Sequence, residues 1–424
     1  MRSAVYSIVA VLLAYQLYTI VPLIQRAVTV LGVFRSYPEG DVGTKQQVTS
    51  IPDTTHCEDL HHHIPSGLLF TACEDDAATR FQWFPPLGNL GNPEVAAKSR
   101  GSIHVIDPKG LESRRLKFEN FDGAFITHGI DVIDDPELPT GQAVYIFAVN
   151  HLPDPTPILE GKEAKARSQL ELFHHTIGTD SIKHIRSIWH PLIRTPNDVY
   201  AQTPTSIYVT NDHYYTGHSV MRMLEDVYYG AKWTDTVHIK LEFLSPVKTS
   251  DAGVTASVAL APIHNNNGLG HGRSEEEILI SQAASGVLHI AQLPFKGSTD
   301  YNITISDTLE VESVVDNPSY FSDPLATSPV DDRSGFLLPG ISKAATLAET
   351  SRDPAGKDPV IVYYVKPVAG KKAQEWDTSV IFEDDSSRIR SASAAALISL
   401  DKNRARLFVT GFVSANVIAL EVDL

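Results

Sequence analysis

Four short clusters of acidic and amide side chains stand far apart along the 424-residue chain: Glu58-Asp59, Asn197-Asp198, Asn265-Asn266-Asn267-Gly268 and Asp316-Asn317. Each lies near the end of an apolar run or in a turn-like context. Asx side chains hydrogen-bond to local backbone there, so any single cluster reads most simply as a turn. Together they offer carboxylate and amide oxygens, the donors that a hard cation such as Ca²⁺ collects in sets of roughly six to eight. Successive side chains of a strand point to opposite sides. Glu58 and Asp59 are therefore poorly placed to share one ion, and so are Asn197 and Asp198. Two such doublets suit two ions, with one residue of each doublet per ion. His128 lies in AFITHGIDVID, and His151 ends AVYIFAVNH. A histidine at a strand end is commonly structural. As a pair beside a metal, one could act as general base on water while the other holds its tautomer.

A further concentration of ligand types is CEDLHHHIPSGLLFTAC, from Cys57 to Cys73, the only cysteines of the chain. It reads as a hairpin, with EDLHHH and LLFTAC as strands and Ile64 to Gly67 as the turn. Pairing centred on Pro65 sets Cys57 opposite Cys73. Facing antiparallel residues have Cα atoms ~4.5–5.5 Å apart, within disulfide reach, so a local disulfide is expected. A centre one residue away would remove it. His61 and His63 share one face of such a strand and His62 the other, which disfavours ligation by all three. A His61/His63 zinc pair stays open beside the plainer reading of polar residues running to a surface turn.

The elements that must position these residues are mostly strands. IHVID (103–107), AVYIFAVN (143–150), SIYVTND (206–212), EILISQA (277–283), VIVYYV (360–365), RLFVTGF (406–412) and NVIALEV (416–422) are β-branched and aromatic runs bounded by turn residues. Helical periodicity is clear at 219–230, where Val220, Met223, Leu224 and Val227 share a face. Segments 83–98 and 322–357, rich in Pro, Gly, Ser and charge, read as long loops. Many short strands without a break predict one all-β domain, a six-bladed β-propeller over 28–424, with a double sandwich as the alternative. Propeller loops from different blades meet at one end of a central channel, where scattered ligands could converge.

A formal net charge of −16 repels phosphate backbones, so no nucleic-acid partner is expected. From Ala4 to Gln25 the chain is uncharged, long enough to cross a bilayer as a helix. Residues 1–27 are read as a hydrophobic signal-anchor helix rather than a cleaved signal peptide, because Leu12-Leu13-Ala14 is a poor cleavage context. This predicts a single-pass membrane protein with its propeller on the lumenal or extracellular side; a secreted form is the alternative. Asn302-Ile303-Thr304 is an N-glycosylation acceptor that fits such an address.

PNDVY (196–200), YVTNDHYY (208–215), FITHGI (125–130) followed by VYIFAVNH (144–151), and QLELFHH (169–175) resemble the paraoxonase/arylesterase family, of which this chain looks like a divergent member. The resemblance implies a six-bladed propeller with two central calcium ions that hydrolyses esters and lactones. It implies that Glu58, Asn197, Asn267, Asp316 and Asn317 hold a catalytic calcium, and that Asp59, Asp198 and the Ile130 carbonyl hold a structural one. His128 would activate water with His151 as partner, and Asp212 and His213 would line the site or support it. Asn267 is chosen from the Asn265–Asn267 run because Gly268 follows it. Two departures are visible: Leu338 stands where the family often has a histidine, and the last strand lacks the cysteine of the family's end-to-end disulfide. The expected function is a calcium-dependent arylesterase or lactonase acting on small esters; a non-catalytic membrane-tethered propeller is the alternative.

Overall fold

A computed structural model describes residues 18–37, 47–156, 164–217, 219–368 and 375–424. Six sheets follow one another around a ring, each built on antiparallel strands and starting at its innermost strand; Lys117–Glu119 adds a parallel edge strand to the second. The innermost strands are Cys57–His63, Thr127–Asp134, Pro196–Thr203, Asn266–His271, a split strand of Val314–Val315 and Ser319–Phe321, and Ala392–Ser399. The expected propeller is therefore the fold. Thr49–Ile51 pairs with Val417–Asp423 as the outer strand of the sixth blade, so the ring closes by strand pairing. That pairing stands where the family's end-to-end disulfide has no partner cysteine here. Packing between neighbouring sheets buries runs such as Ala143–Asn150 on both faces, which is why they are apolar throughout instead of alternating.

Every innermost strand breaks its ladder at one level, and each break inserts one residue. Glu58 and Asp59 sit between the pairs Cys57–Cys73 and Leu60–Thr71, opposite Ala72 alone. His128-Gly129 lie between Thr127–Asn150 and Ile130–Ala148. Asn197-Asp198, Asn267-Gly268 and Ser393-Ala394 occupy the same step in the third, fourth and sixth blades. Asp316-Asn317-Pro318 interrupt the fifth. Such bulges free backbone N–H groups from the ladder. Hydroxyls on the neighbouring strand take several of them: Thr210 accepts from the Asp198 N–H at 3.1 Å, Ser281 from Gly268 at 2.9 Å and Thr410 from Ala394 at 3.0 Å.

The first bulge corrects the expected hairpin register. Pairs run from His63–Leu68 to Leu60–Thr71, half a residue off a centre at Pro65, and this register alone would miss Cys57. The extra residue at Glu58-Asp59 restores it, and the Cys57–Cys73 disulfide forms with Cα atoms 3.9 Å apart.

Segment 322–357 is not wholly a loop, because Gly335–Ile341 is a buried strand of the fifth blade. Its Pro339 lies opposite the Asp316–Pro318 interruption, so the missing N–H costs no ladder bond. Within 83–98, Trp83–Phe84 and Asn89–Leu90 form a small hairpin and Pro93–Ala96 a helical turn. The expected helix is present at Val220–Val227, but Val220, Met223, Leu224 and Val227 face outward while Arg222 and Glu225 are buried.

A helix spans 18–30, and the anchor assigned to 1–27 lies outside the described residues up to 17. Arg26 donates to the Ser285, Gly286 and Val311 carbonyls, docking this helix on the propeller. Tyr18, Ile20, Val21 and Ile24 are exposed. Among the described residues no helix is long and apolar enough to cross a membrane. Asn302 is exposed and donates to Asp300 at 2.6 Å.

Candidate active site

The bulges aim their side chains into the central channel, and the scattered clusters meet there. Asn317 donates its amide to Glu58 Oε1 at 2.9 Å. Two glycines permit the approach. A Cβ on Gly268 would lie 2.5 Å from Asn317 Oδ1, and one on Gly129 2.2 Å from Asp198 Oδ1. The doublets do divide, though not through the pleat, which the bulges disrupt. Glu58 faces Asn317, whereas the Asp59 carboxylate takes the N–H groups of Leu60 and Ile130 at 2.7 and 2.9 Å. Asp198 likewise accepts from Val199 and Leu269, both at 2.7 Å.

Glu58, Asp59 and Asp198 are buried, and Asp316 joins them with its Oδ1 shielded from solvent. Among the described residues no lysine or arginine is ion-paired to any of the four. Burial, then repulsion by Asp316, Asp59 and Asp198, holds the Glu58 carboxyl well above its ordinary range. Burial and the Asp59 charge do the same to Asp198 and Asp316. Asp59 is raised to about 6, burial outweighing its two N–H donors. Concentrated buried anions cost several kcal/mol each unless a cation neutralises them.

The oxygens show where such a cation fits. Glu58 Oε2 and the Oδ1 atoms of Asn197, Asn267, Asp316 and Asn317 are all buried without a hydrogen-bond partner. Buried polar atoms seldom go unpaired, and five orphaned oxygens in one layer form a donor set suited to Ca²⁺. Within the asparagine run, Asn265 turns its oxygen to the Ala284 N–H at 2.8 Å, so it is not among the orphaned oxygens. Asn266 Oδ1 is also unpaired, but its amide is fixed to Thr236 at 2.8 Å. Asp59 and Asp198 have no orphaned atom, although each of their oxygens keeps a lone pair beside its N–H donor.

His128 and His151 stand next to this layer. His151 Nε2 lies 3.1 Å from His128 Nδ1, His151 Nδ1 is 2.8 Å from Ser168 Oγ, and His128 Nε2 is 3.7 Å from Glu58 Oε1. Burial pulls His151 down to about 3 and His128 well below the usual imidazole value, so both are neutral at physiological pH. Asp212 and His213 sit behind them. His213 Nδ1 and Asp212 Oδ1 are 3.0 Å apart but not aligned for a hydrogen bond, while His213 Nε2 meets Asp226 at 2.7 Å. Burial and Arg222 push His213 down, but its two carboxylate partners prevail and raise it to about 9. Leu338 is buried in apolar packing of the fifth blade with Phe336 and Tyr363.

Sequence reasoning missed the cover over the histidines. Phe84 meets His128 edge-on at 5.0 Å between centroids and stacks on Phe412 at 5.6 Å, with the Arg80 guanidinium 4.4 Å from its ring. Trp83 Nε1 donates to the His151 carbonyl at 2.7 Å. Arg222 donates to the Pro86 carbonyl, tying the Val220–Val227 helix to the cover. No signal in WFPPLG marked these residues, since a loop and a lid share the same composition.

A six-bladed propeller whose channel carries an acidic oxygen cradle beside a buried histidine pair defines the class. The chain belongs to the arylesterase family, whose profile matches residues 96–325, more than half of it. It is 28% identical over 54% of its length to chicken serum paraoxonase/arylesterase 2, spanning 56% of that protein. It is 23% identical over 79% of its length to rabbit serum paraoxonase/lactonase 3, spanning 78% of it. Against human serum paraoxonase/arylesterase 2 the figures are 25% identity, 54% of this chain and 56% of the relative. The match thus spans little more than half of two of these three relatives.

Proposed function

We propose that this chain is a calcium-dependent hydrolase of carboxylic esters and lactones. Five orphaned oxygens converging beside a neutral histidine pair carry the reading. Glu58, Asn197, Asn267, Asp316 and Asn317 would hold the catalytic ion. A second ion would lie with Asp59, Asp198 and the Ile130 carbonyl, where it would tie neighbouring blades together. Bound calcium supplies positive charge against which the carbonyl oxygen of an ester can become an oxyanion.

The protein's own groups handle the proton. With His151 Nδ1–H donating to Ser168, His151 Nε2 accepts from His128 Nδ1–H. That tautomer leaves the lone pair of His128 Nε2 directed toward Glu58 and the cradle. His128 takes a proton from water as the water oxygen bonds to the carbonyl carbon. It returns that proton to the departing alkoxide as the ester C–O bond breaks, so a lactone opens to a hydroxy acid. Asp212 and His213 brace the loop behind the pair. The pair is only 3% and 1% exposed, so a substrate gains access when the Trp83–Pro86 cover swings aside.

The test is hydrolysis of aryl acetates and of γ- and δ-lactones by the purified chain, with calcium and after its removal by EDTA. His128→Ala should retain calcium and lose roughly 10²–10⁴-fold in turnover. Activity that survives complete calcium removal refutes the mechanism. The tight cover over the histidines favours one rival, a binding propeller without turnover, and calcium binding without activity on any substrate would select it. The apolar run ending in the exposed Tyr18, Ile20, Val21 and Ile24 supports a membrane tether, with the propeller on the oxidising side where its disulfide persists. Release of the full chain from membranes by alkaline carbonate would exclude an integral span.

A further inference from the structure

The histidine triplet takes no part in the acidic cradle, and a cavity of about 430 Å³ beside it does not contain the histidine pair. Along the innermost strands His128 lies within its bulge, whereas His61, Asp131, Tyr200 and His271 follow theirs and line this cavity. With ~3.3 Å of rise per residue, His128 and Asp131 are separated by about 10 Å along the channel. The cavity is therefore the opposite mouth.

We propose that His61, Asp131 and His271 form a transition-metal site at this mouth, suited to Zn²⁺ and separate from the calcium cradle. His61 Nδ1 lies 3.0 Å from Asp131 Oδ1, and His271 Nε2 lies 2.9 Å from the same oxygen. All three ligand atoms fall within 4.8 Å of one another. A tetrahedral zinc ion with bonds of ~2.0–2.1 Å needs ligand atoms about 3.3 Å apart, so separations of tenths of an ångström must open. The two imidazoles stand at 90° with centroids 5.3 Å apart, presenting their nitrogens to a common point rather than stacking.

The supporting contacts are those that hold metal ligands in place. Asp131 Oδ2 accepts the Ala201 N–H at 2.6 Å, fixing the carboxylate from the third blade. Tyr200 packs on the His271 ring at 4.3 Å. Three blades thus contribute one ligand each, from residues 61, 131 and 271. Two imidazoles and one carboxylate select a borderline ion over calcium, which prefers an all-oxygen shell. Three protein ligands leave a fourth position open to the cavity for water or an anionic group.

His63 is excluded from the set. It turns to Asp134 at 3.2 Å and Ser66 at 2.9 Å, so the H-x-H pair suggested by the triplet does not assemble. The simpler alternative is a metal-free triad, in which Asp131 accepts hydrogen bonds from both imidazoles.

The full chain, kept in excess calcium, is titrated with zinc, desalted and analysed for both metals. One zinc per chain is expected. H61Q and H271Q should each weaken zinc binding by more than ~100-fold with calcium content unchanged, while H63Q binds as the parent does. No zinc uptake, retention by both H61Q and H271Q, or loss in H63Q each overturns the site. If either variant also loses calcium or its melting transition, the Co²⁺ form of the parent decides. Intense visible ligand-field bands of a four-coordinate ion support the site, and their absence overturns it.

Discussion

Replacing Glu58 with Gln separates the two roles that the cradle assigns to this side chain. In the metal-free protein Glu58 is one of four crowded carboxylates, and burial and repulsion raise it well above 4.5. A carboxyl raised in the folded state contributes stability below its unfolded value, and loses it as pH rises through the raised value. At neutral pH the metal-free parent therefore carries this strain and Glu58→Gln relieves it. Recovering roughly 3 kcal/mol is reasonable for one uncompensated buried charge. Unfolding about 380 residues changes entropy by about 0.8 kcal/mol/K, so in EDTA the variant should melt about 4 °C above the parent. That advantage should vanish toward the ordinary carboxyl value of 4.5, where the group is protonated in both states.

Calcium closes most of this gap. At roughly a thousandfold over its Kd, calcium adds about 4 kcal/mol, or about 5 °C. A hundredfold loss of affinity in the variant removes about 2.7 kcal/mol of that, or about 3 °C. Differential scanning calorimetry at pH 5 and 8, with calcium and with EDTA, reads all of these shifts. A variant that melts below the parent in EDTA refutes the repulsion argument. A parent indifferent to EDTA refutes the cradle.

Other outcomes test the surrounding parts. Ser168→Ala removes the hydroxyl on His151 Nδ1 and should lower kcat about tenfold, a loss near that of one hydrogen bond, with KM unchanged in steady-state assays. Because burial holds His151 near 3 and His128 well below the usual imidazole value, the pair should show no ordinary histidine titration near pH 6. Any acid limb of kcat near pH 6 should therefore follow calcium loss and move with calcium concentration; a limb that ignores calcium refutes this. Cys57→Ser with Cys73→Ser opens a loop of sequence separation 16, costing about 3 kcal/mol, and should weaken calcium binding through the adjacent bulge, as read by melting and calcium titration. Phe84→Ala thins the cover and should raise kcat/KM for bulky esters relative to small ones while costing about 3–5 kcal/mol of stability. An unchanged substrate ratio would show that the cover is not the gate.

Much of the propeller is legible from composition alone. Runs such as AVYIFAV and VIVYYV are apolar at every position, because blades packed on both faces leave their strands no solvent side. Ala143–Asn150 falls where its pattern places it. The Cys57–Cys73 bond was foreseeable, but the simple register behind it differs by half a residue and needs the bulge to succeed. The Gly335–Ile341 strand was hidden by Pro339, which is tolerated only because the neighbouring strand is interrupted opposite it. The Val220–Val227 helix was readable as a helix, yet its apolar face points outward. Periodicity finds a stripe and does not say what the stripe meets.

The site divides in the same way. Residue chemistry singles out Glu58-Asp59, Asn197-Asp198 and Asp316-Asn317 as oxygen donors and His128 and His151 as a pair, since each type carries its ligand or proton-transfer capacity wherever it stands. Tertiary structure decides which of those capacities meet. One inserted residue per blade, at a common level, aims six strands into a single layer and leaves five oxygens without partners. It also sends His61 away from its neighbours in the triplet, toward Asp131 and His271, about 70 and 210 residues away in sequence. No local pattern encodes such contacts. They arise because a closed ring of blades turns sequence distance into adjacency around one axis.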